Sequence, residues 1–162
     1  FHLTGSCKIP LVLEHLKTTV FTADVPVLVF ARHHAMLDAI AACCLEEGVS
    51  FVQVDGRVPP GPTRTEALSS FQNGDKRVAI LSQQACGTGL NLTRAAHVVF
   101  AELCWNPGEL HQCEDRAHRV GQKNSVHVQY IVAEGSLDDV IWSTVGRKTM
   151  LLDKLINQRI SQ

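Results

Sequence analysis

Residues 112–122, Gln-Cys-Glu-Asp-Arg-Ala-His-Arg-Val-Gly-Gln, hold the densest chemistry in the chain. On a helix, at ~100° per residue, Gln112, Arg116 and Arg119 fall at i, i+4 and i+7 and share one narrow stripe. Two guanidiniums on one stripe repel each other unless an anion sits between or in front of them. Their planar forks match phosphate oxygens, so the anion this spacing points to is the γ-phosphate of a nucleotide. The alternative is a solvated helix on which the arginines pair weakly with Glu114 and Asp115. For an arbitrary pair of arginines at this spacing, the solvated helix is the commoner outcome.

Three further groupings carry polar chemistry. Arg32, His33 and His34 follow the apolar run 27–30, and Asp55, Gly56 and Arg57 follow a second run. Gly87 and Gly89 follow a third, and glycines one residue apart let backbone N–H groups approach an anion closely. A dinucleotide fingerprint fails there: its third glycine is Leu92, and no acidic residue lies ~20 positions on at a strand end. His111, Asp115 and His118 form another i, i+4, i+7 stripe that could pass for metal ligands, but no fourth ligand is nearby.

The elements that must position these groups alternate between two periodicities. Residues 27–30, 50–54, 78–81, 97–102 and 126–132 read as strands, the first a continuous apolar run after Pro26, as in a strand buried on both faces. Residues 33–47 place Met36, Leu37, Ile40, Ala41, Cys44 and Leu45 at helical spacing and stop at Gly48. Residues 63–73 form a helix with Leu68 and Phe71 inward. Pro107 starts the helix that carries the arginines, with Trp105 as a partly buried wedge against it. Ser136-x-x-Asp139 is a capping box opening a helix with Leu137, Ile141 and Val145 inside.

Pro10 suits the first position of a lead-in helix within residues 1–25. Met150, Leu151, Leu152, Leu155, Ile156 and Ile160 give a C-terminal helical extension over 146–162 its apolar face. Strand, helix, strand over 27–54 is a βαβ unit, so the sheet is parallel and its crossover right-handed. The expectation is one domain over 1–162: α/β, a three-layer sandwich with a mainly parallel sheet of about five to six strands.

An apolar content of 45% over 162 residues is enough for a core of its own. A net charge of −1 argues against a general attraction to nucleic acid, so any such contact is local. The six cysteines form no Cys-x-x-Cys pair and fit a reducing compartment. No apolar run approaches the ~18 residues of a membrane span. The chain opens on Phe1 rather than Met, and is expected to be a piece of something longer.

The run 112–122 resembles motif VI of superfamily 2 helicases, in the spelling Gln-x-x-Asp-Arg-x-His-Arg-x-Gly-Gln of Swi/Snf-type DNA translocases. Residues 27–34, VLVFARHH, look like motif IV, and residues 82–93 look like motif V. Trp105-Asn106-Pro107 stands where that family has its Trp-Asn-Pro turn, and Lys8 where it usually has a lysine. The resemblance implies the second RecA-like lobe, the helicase C-terminal lobe, of a two-lobe motor. It implies that Arg116 senses phosphate and that Arg119 is the arginine finger, both reaching across a cleft to ATP held by the first lobe. Gln112, Gly87, Gly89 and Asn91 then face the nucleotide, Asn91 at its sugar. Arg32, His33, Gly56, Arg57 and Thr88 face nucleic acid.

One departure concerns the loop after the second strand. The family's Asp-Gly-Ser/Thr reads Asp55-Gly56-Arg57 here, and Pro59, Pro60 and Pro62 stiffen the rest of the loop. Arg57 then replaces a hydroxyl by a charge-assisted phosphate contact, and Arg64 is equally well placed as an internal clamp on Asp55.

The chain has no Gly-x-x-x-x-Gly-Lys-Ser/Thr phosphate loop and no Asp-Glu-x-His. ATP with Mg2+ is therefore expected in the intact two-lobe protein, with none held tightly and no hydrolysis by this chain alone. The implied partners are the first RecA-like lobe and double-stranded or branched DNA, with no membrane, in a nuclear monomer. The phrases VVFAEL-x-W-x-P-G and EDRAHR lean to the annealing-helicase branch, of the zinc-finger Ran-binding-domain type or the HARP type, which remodels stalled replication forks in DNA repair. The competing readings are a chromatin-remodelling translocase lobe, an RNA helicase lobe and a non-catalytic helicase-like module. RNA helicases usually have arginine where Gln122 stands. A flavodoxin-like or response-regulator domain lacks its acidic phosphoacceptor cluster here.

Overall fold

Strand β1 (Val27–Ala31) is buried at every position, and the rest of the molecule is layered on it. In this computed structural model the structure describes residues 2–84, 92–116 and 125–147. Helix α1 (His2–His15) precedes β1; α2 (His34–Glu46), β2 (Phe51–Val54), α3 (Pro62–Asn73), β3 (Val78–Ser82), β4 (His97–Phe100), α4 (Pro107–Glu114) and β5 (His127–Tyr130) follow it. Residues 137–147 form a further helix, α5.

Among the described residues the sheet has five strands in the order β2-β3-β1-β4-β5, and every neighbouring pair is parallel. Val29 sits between Ile80 on one side and Val99 on the other. Because side chains alternate across a strand, Leu28 and Phe30 join α3, α4 and α5 in one core, through Leu68, Phe71, Leu110 and Ile141. Val27, Val29 and Ala31 join α1 and α2 in the other, with Val12, Met36, Leu37 and Ile40. The result is the expected three-layer α/β sandwich, with a wholly parallel sheet. Strands β1 and β2 are parallel but not adjacent, since β3 is inserted between them.

Two local expectations change. Pro10 lies inside α1, which starts eight residues earlier at His2, rather than at a first helical position. Having no N–H, it leaves the preceding turn one bond short. After His15 the chain widens into a π-helical segment (Leu16–Val20), closed by the Phe21 N–H on the Leu16 carbonyl at 2.8 Å, with Leu16 and Val20 both fully buried. At α5 the capping is offset by one residue from the expected box. Ser136 Oγ accepts from the Asp138 N–H at 3.1 Å, and Asp139 accepts from the Gly135 N–H at 2.7 Å. Gly146 and Arg147 continue α5; residues 148–162 of the expected extension lie outside the described residues.

The crossovers leave β1 in opposite senses. The chain passes from β1 to β2 at one edge, then from β3 across β1 to β4 and β5 at the other. The crevice at the carboxyl ends of strands ordered this way is where open parallel sheets bind ligands.

Candidate functional site

Helix α4 carries the start of the arginine run, and its amino end is set by local chemistry. Asn106 caps it, its side-chain oxygen accepting from the Gly108 N–H at 3.0 Å, and Pro107 occupies the first turn, as its fixed φ favours. Its carboxyl end departs from the sequence expectation. The helix closes at Glu114, and Arg116 stands in the turn beyond, so Gln112 and Arg116 do not share a helical stripe. The turn is tied to a distant segment: the Arg116 N–H takes the Cys113 carbonyl at 3.2 Å, and the Leu92 N–H takes the Arg116 carbonyl at 2.9 Å.

Gln112 is exposed, whereas Arg116 is only 4% exposed and its Nε is buried without a hydrogen-bond acceptor among the described residues. Among the described residues no carboxylate pairs with Arg116. Arg119 lies outside the described residues, as do Gly87, Thr88, Gly89 and Asn91. His118, the last member of the metal-like stripe, does too, and His111 instead approaches Glu114 at 3.4 Å. The Tyr130 hydroxyl donates to Glu114 at the end of α4, and burial, then that carboxylate, pushes the phenol well above its usual pKa. Trp105 is 39% exposed, so it is partly buried, as expected.

The loop after β1 is held by a residue that sequence reading passed over. Glu102, 6% exposed at the end of β4, accepts from the backbone N–H groups of Arg32 (2.8 Å) and His33 (2.9 Å) and bonds His33 Nδ1 at 2.7 Å. His33 is thus engaged inside the fold. The Arg32 guanidinium reaches Glu109 in the first turn of α4 at 3.4 Å. The one signal that could have found Glu102 was an acidic residue at the carboxyl end of an apolar strand.

Arg57 is the clamp on Asp55. Its Nε meets both Asp55 oxygens (3.1 and 3.2 Å), its Nη1 meets Asp38 at 3.0 Å, and its Nη2 meets Asp38 and Asp55, each at 2.6 Å. These bonds hold Asp55 well below the usual carboxylate range and lower Asp38 from 3.8 to about 2. A carboxylate depressed in the folded state stabilises above its unfolded pKa and loses that contribution as pH falls through its folded one. The stability gap between the parent and Arg57→Gln should therefore be constant well above pH 3.8, narrow as pH falls toward about 2 and go on narrowing below it, where Asp55 still holds its charge. Urea melts across that range check it; a gap that does not change with pH would show the clamp to be energetically idle.

Beside the clamp, a polar pocket of about 220 Å3 opens at the carboxyl edge of the sheet. Arg32, His34, Gly56, Arg64, Ser82 and Gln84 line it. Of the positions expected at nucleic acid, the structure brings Arg32 and Gly56 together here and turns Arg57 toward Asp38 and Asp55.

A family model described as the helicase conserved C-terminal domain matches residues 8–121, from the buried Lys8 through both arginines of the run. The chain belongs to this family. The lobe is 41% identical over 160 residues to the DNA annealing helicase and endonuclease ZRANB3 of Mus musculus, covering 98% of this chain and 15% of that protein. It is 45% identical over 159 residues to the SWI/SNF-related matrix-associated actin-dependent regulator of chromatin subfamily A-like protein 1 homolog of Caenorhabditis elegans, covering 96% of this chain and 23% of that protein. The crystal structure of the C-terminal part of the Fun30 ATPase domain superposes with a TM-score of 0.75 at 28% identity, over 85% of this chain and 44% of that one. Sheet and relatives together place the chain as a C-terminal, RecA-like helicase lobe of the Swi/Snf type. The lobe spans 15% to 23% of the length of these curated relatives.

Proposed function

We propose that this lobe is the second motor lobe of an ATP-dependent double-stranded DNA translocase of the annealing-helicase kind, acting in replication-fork remodelling and DNA repair in the nucleus. The observation that carries the reading is the family match over residues 8–121, which takes in Arg116 and Arg119. ATP with Mg2+ occupies the cleft between this lobe and a first RecA-like lobe, and supplies the phosphoanhydride that is cleaved. Arg119 is the finger on the γ-phosphate, stabilising charge that develops in phosphoryl transfer. Arg116 is the phosphate sensor. Its buried Nε has no acceptor among the described residues of the lone lobe, which fits a side chain whose partner arrives only when the lobes close. Gln112, Gly87, Gly89 and Asn91 border the nucleotide, while Arg32, Gly56 and Thr88 border the DNA backbone.

The test is ATP turnover with and without nucleic acid. The two-lobe protein should be stimulated by duplex DNA, and the isolated lobe should show no turnover above background under either condition. Steady hydrolysis by the isolated lobe would overturn the division of labour between lobes. Stimulation by RNA alone would transfer the chain to an RNA helicase.

A further inference from the structure

We propose that Tyr130 is a positioning residue for the arginine run: its hydroxyl fixes the end of α4, from which Arg119 is presented to the nucleotide. This rests on the translocase reading and adds to it a residue that touches neither ATP nor DNA.

Tyr130 is the last residue of β5, and its ring continues an aromatic stack that starts in the core. Phe30 of β1 and Phe100 of β4, both fully buried, stack with centroids 5.2 Å apart. Tyr130 lies against Phe100 at 4.6 Å, with the two planes 9° from parallel. Trp142 of α5 packs on the tyrosine at 5.1 Å, tilted by 52°. A ring with an aromatic neighbour on each of two elements has little freedom to move.

The stack by itself asks only for a phenylalanine, and a half-buried hydroxyl needs a partner. That partner is Glu114, the last residue of α4. The phenol donates to Oε1 of Glu114, while Oε2 faces His111 Nδ1, one turn earlier, at 3.4 Å. Its raised pKa keeps the phenol a donor across the neutral range. Arg116 follows Glu114 by two residues and Arg119 by five. The backbone bonds of Arg116 to Cys113 and Leu92 set where the turn lies, and the bond from Tyr130 fixes the side-chain end of the helix just before it. A fixed support matters here because an arginine acting on phosphoryl oxygens works only in one narrow geometry.

The experiment measures ATP hydrolysis by the intact two-lobe protein with saturating duplex, beside thermal melts and duplex affinity. Tyr130→Phe keeps the stacked ring and loses the hydroxyl. It should lower kcat by about 10-fold or more, within the ~100-fold that a 1 Å misplacement can cost. KM for ATP and duplex affinity should stay near the parent's. Glu114→Ala should lose as much, and Glu114→Gln, whose amide oxygen still accepts from the phenol, should recover most of it. Tyr130→Phe combined with Glu114→Ala should be no worse than either alone, because each removes the same bond. In an Arg119→Ala background, Tyr130→Phe should bring little further loss, since the hydroxyl acts through that arginine. A merely structural role would instead multiply the two losses, by lowering the folded fraction in both backgrounds. Multiplied losses, or turnover near the parent's in Tyr130→Phe, would overturn the assignment and leave the translocase reading in place. Absence of duplex-stimulated turnover in the parent would remove that reading, and the assignment with it.

Discussion

Arg119→Ala in the intact two-lobe protein is expected to lower DNA-stimulated ATP turnover by about 10³-fold or more, while duplex affinity and thermal unfolding stay close to the parent's. In phosphoryl transfer the protein does little covalent chemistry, and catalysis is positioning plus stabilisation of charge on the phosphoryl oxygens. An arginine aimed at those oxygens from a second unit acts only when the lobes are closed, so its loss falls on turnover rather than on folding. Arg119→Lys should recover only part of the loss, because an ammonium supplies charge without the two-pronged fork. Arg116 is a less clean target. At 4% exposure with its Nε inside the lobe, its truncation perturbs packing as well as phosphate sensing. Single-turnover measurements with ATP and saturating duplex decide the matter, and near-normal turnover in Arg119→Ala would remove the finger assignment.

The second large effect is on stability. Lys8, 3% exposed in α1, donates to Asp138 at 2.5 Å and to the Ile131 carbonyl at 2.5 Å. Asp138 also accepts from the Ala133 N–H at 3.1 Å. The amino-terminal helix is thereby tied to the segment joining β5 to α5. Removing one member of a buried pair leaves an uncompensated charge, so Lys8→Ala or Asp138→Ala should each cost about 3–5 kcal/mol. For a domain of this size that lowers Tm by on the order of 10 °C. The double variant Lys8→Met/Asp138→Leu should recover most of the loss, because the charged pair itself contributes little beyond an apolar replacement. Equal destabilisation in the single and double variants would show that the site matters for packing alone.

The positions of Lys8 and Asp138 show where reading the chain alone stops. Lys8 was noticeable only as a lysine in a family-like place, and its carboxylate partner lies 130 residues away. Nothing in either neighbourhood marks the other.

The strands and most helix ends were legible from residue pattern. Continuous apolar runs marked β1 and β3, helical spacing of Met36, Leu37 and Ile40 marked α2, and Asn106-Pro107 marked the start of α4. Each of these records burial or capping decided within a few residues, and local pattern is enough for that. The arginine run was legible as a family motif, and the family match over residues 8–121 covers both arginines.

Which charges meet was decided by the tertiary structure. Asp55 leaves β2, Asp38 lies on α2, and only their approach makes Arg57 a clamp, where the sequence offered Arg57 as a phosphate contact and Arg64 as the clamp on Asp55. Arg116 was expected on one helical stripe with Gln112 and is buried in the turn beyond α4, where the Leu92 N–H takes its carbonyl while Gln112 stays exposed. The reason is the same in each case. Periodicity reports the face on which a residue is buried, whereas the partner of a charge depends on which loops the strand order β2-β3-β1-β4-β5 brings to one edge.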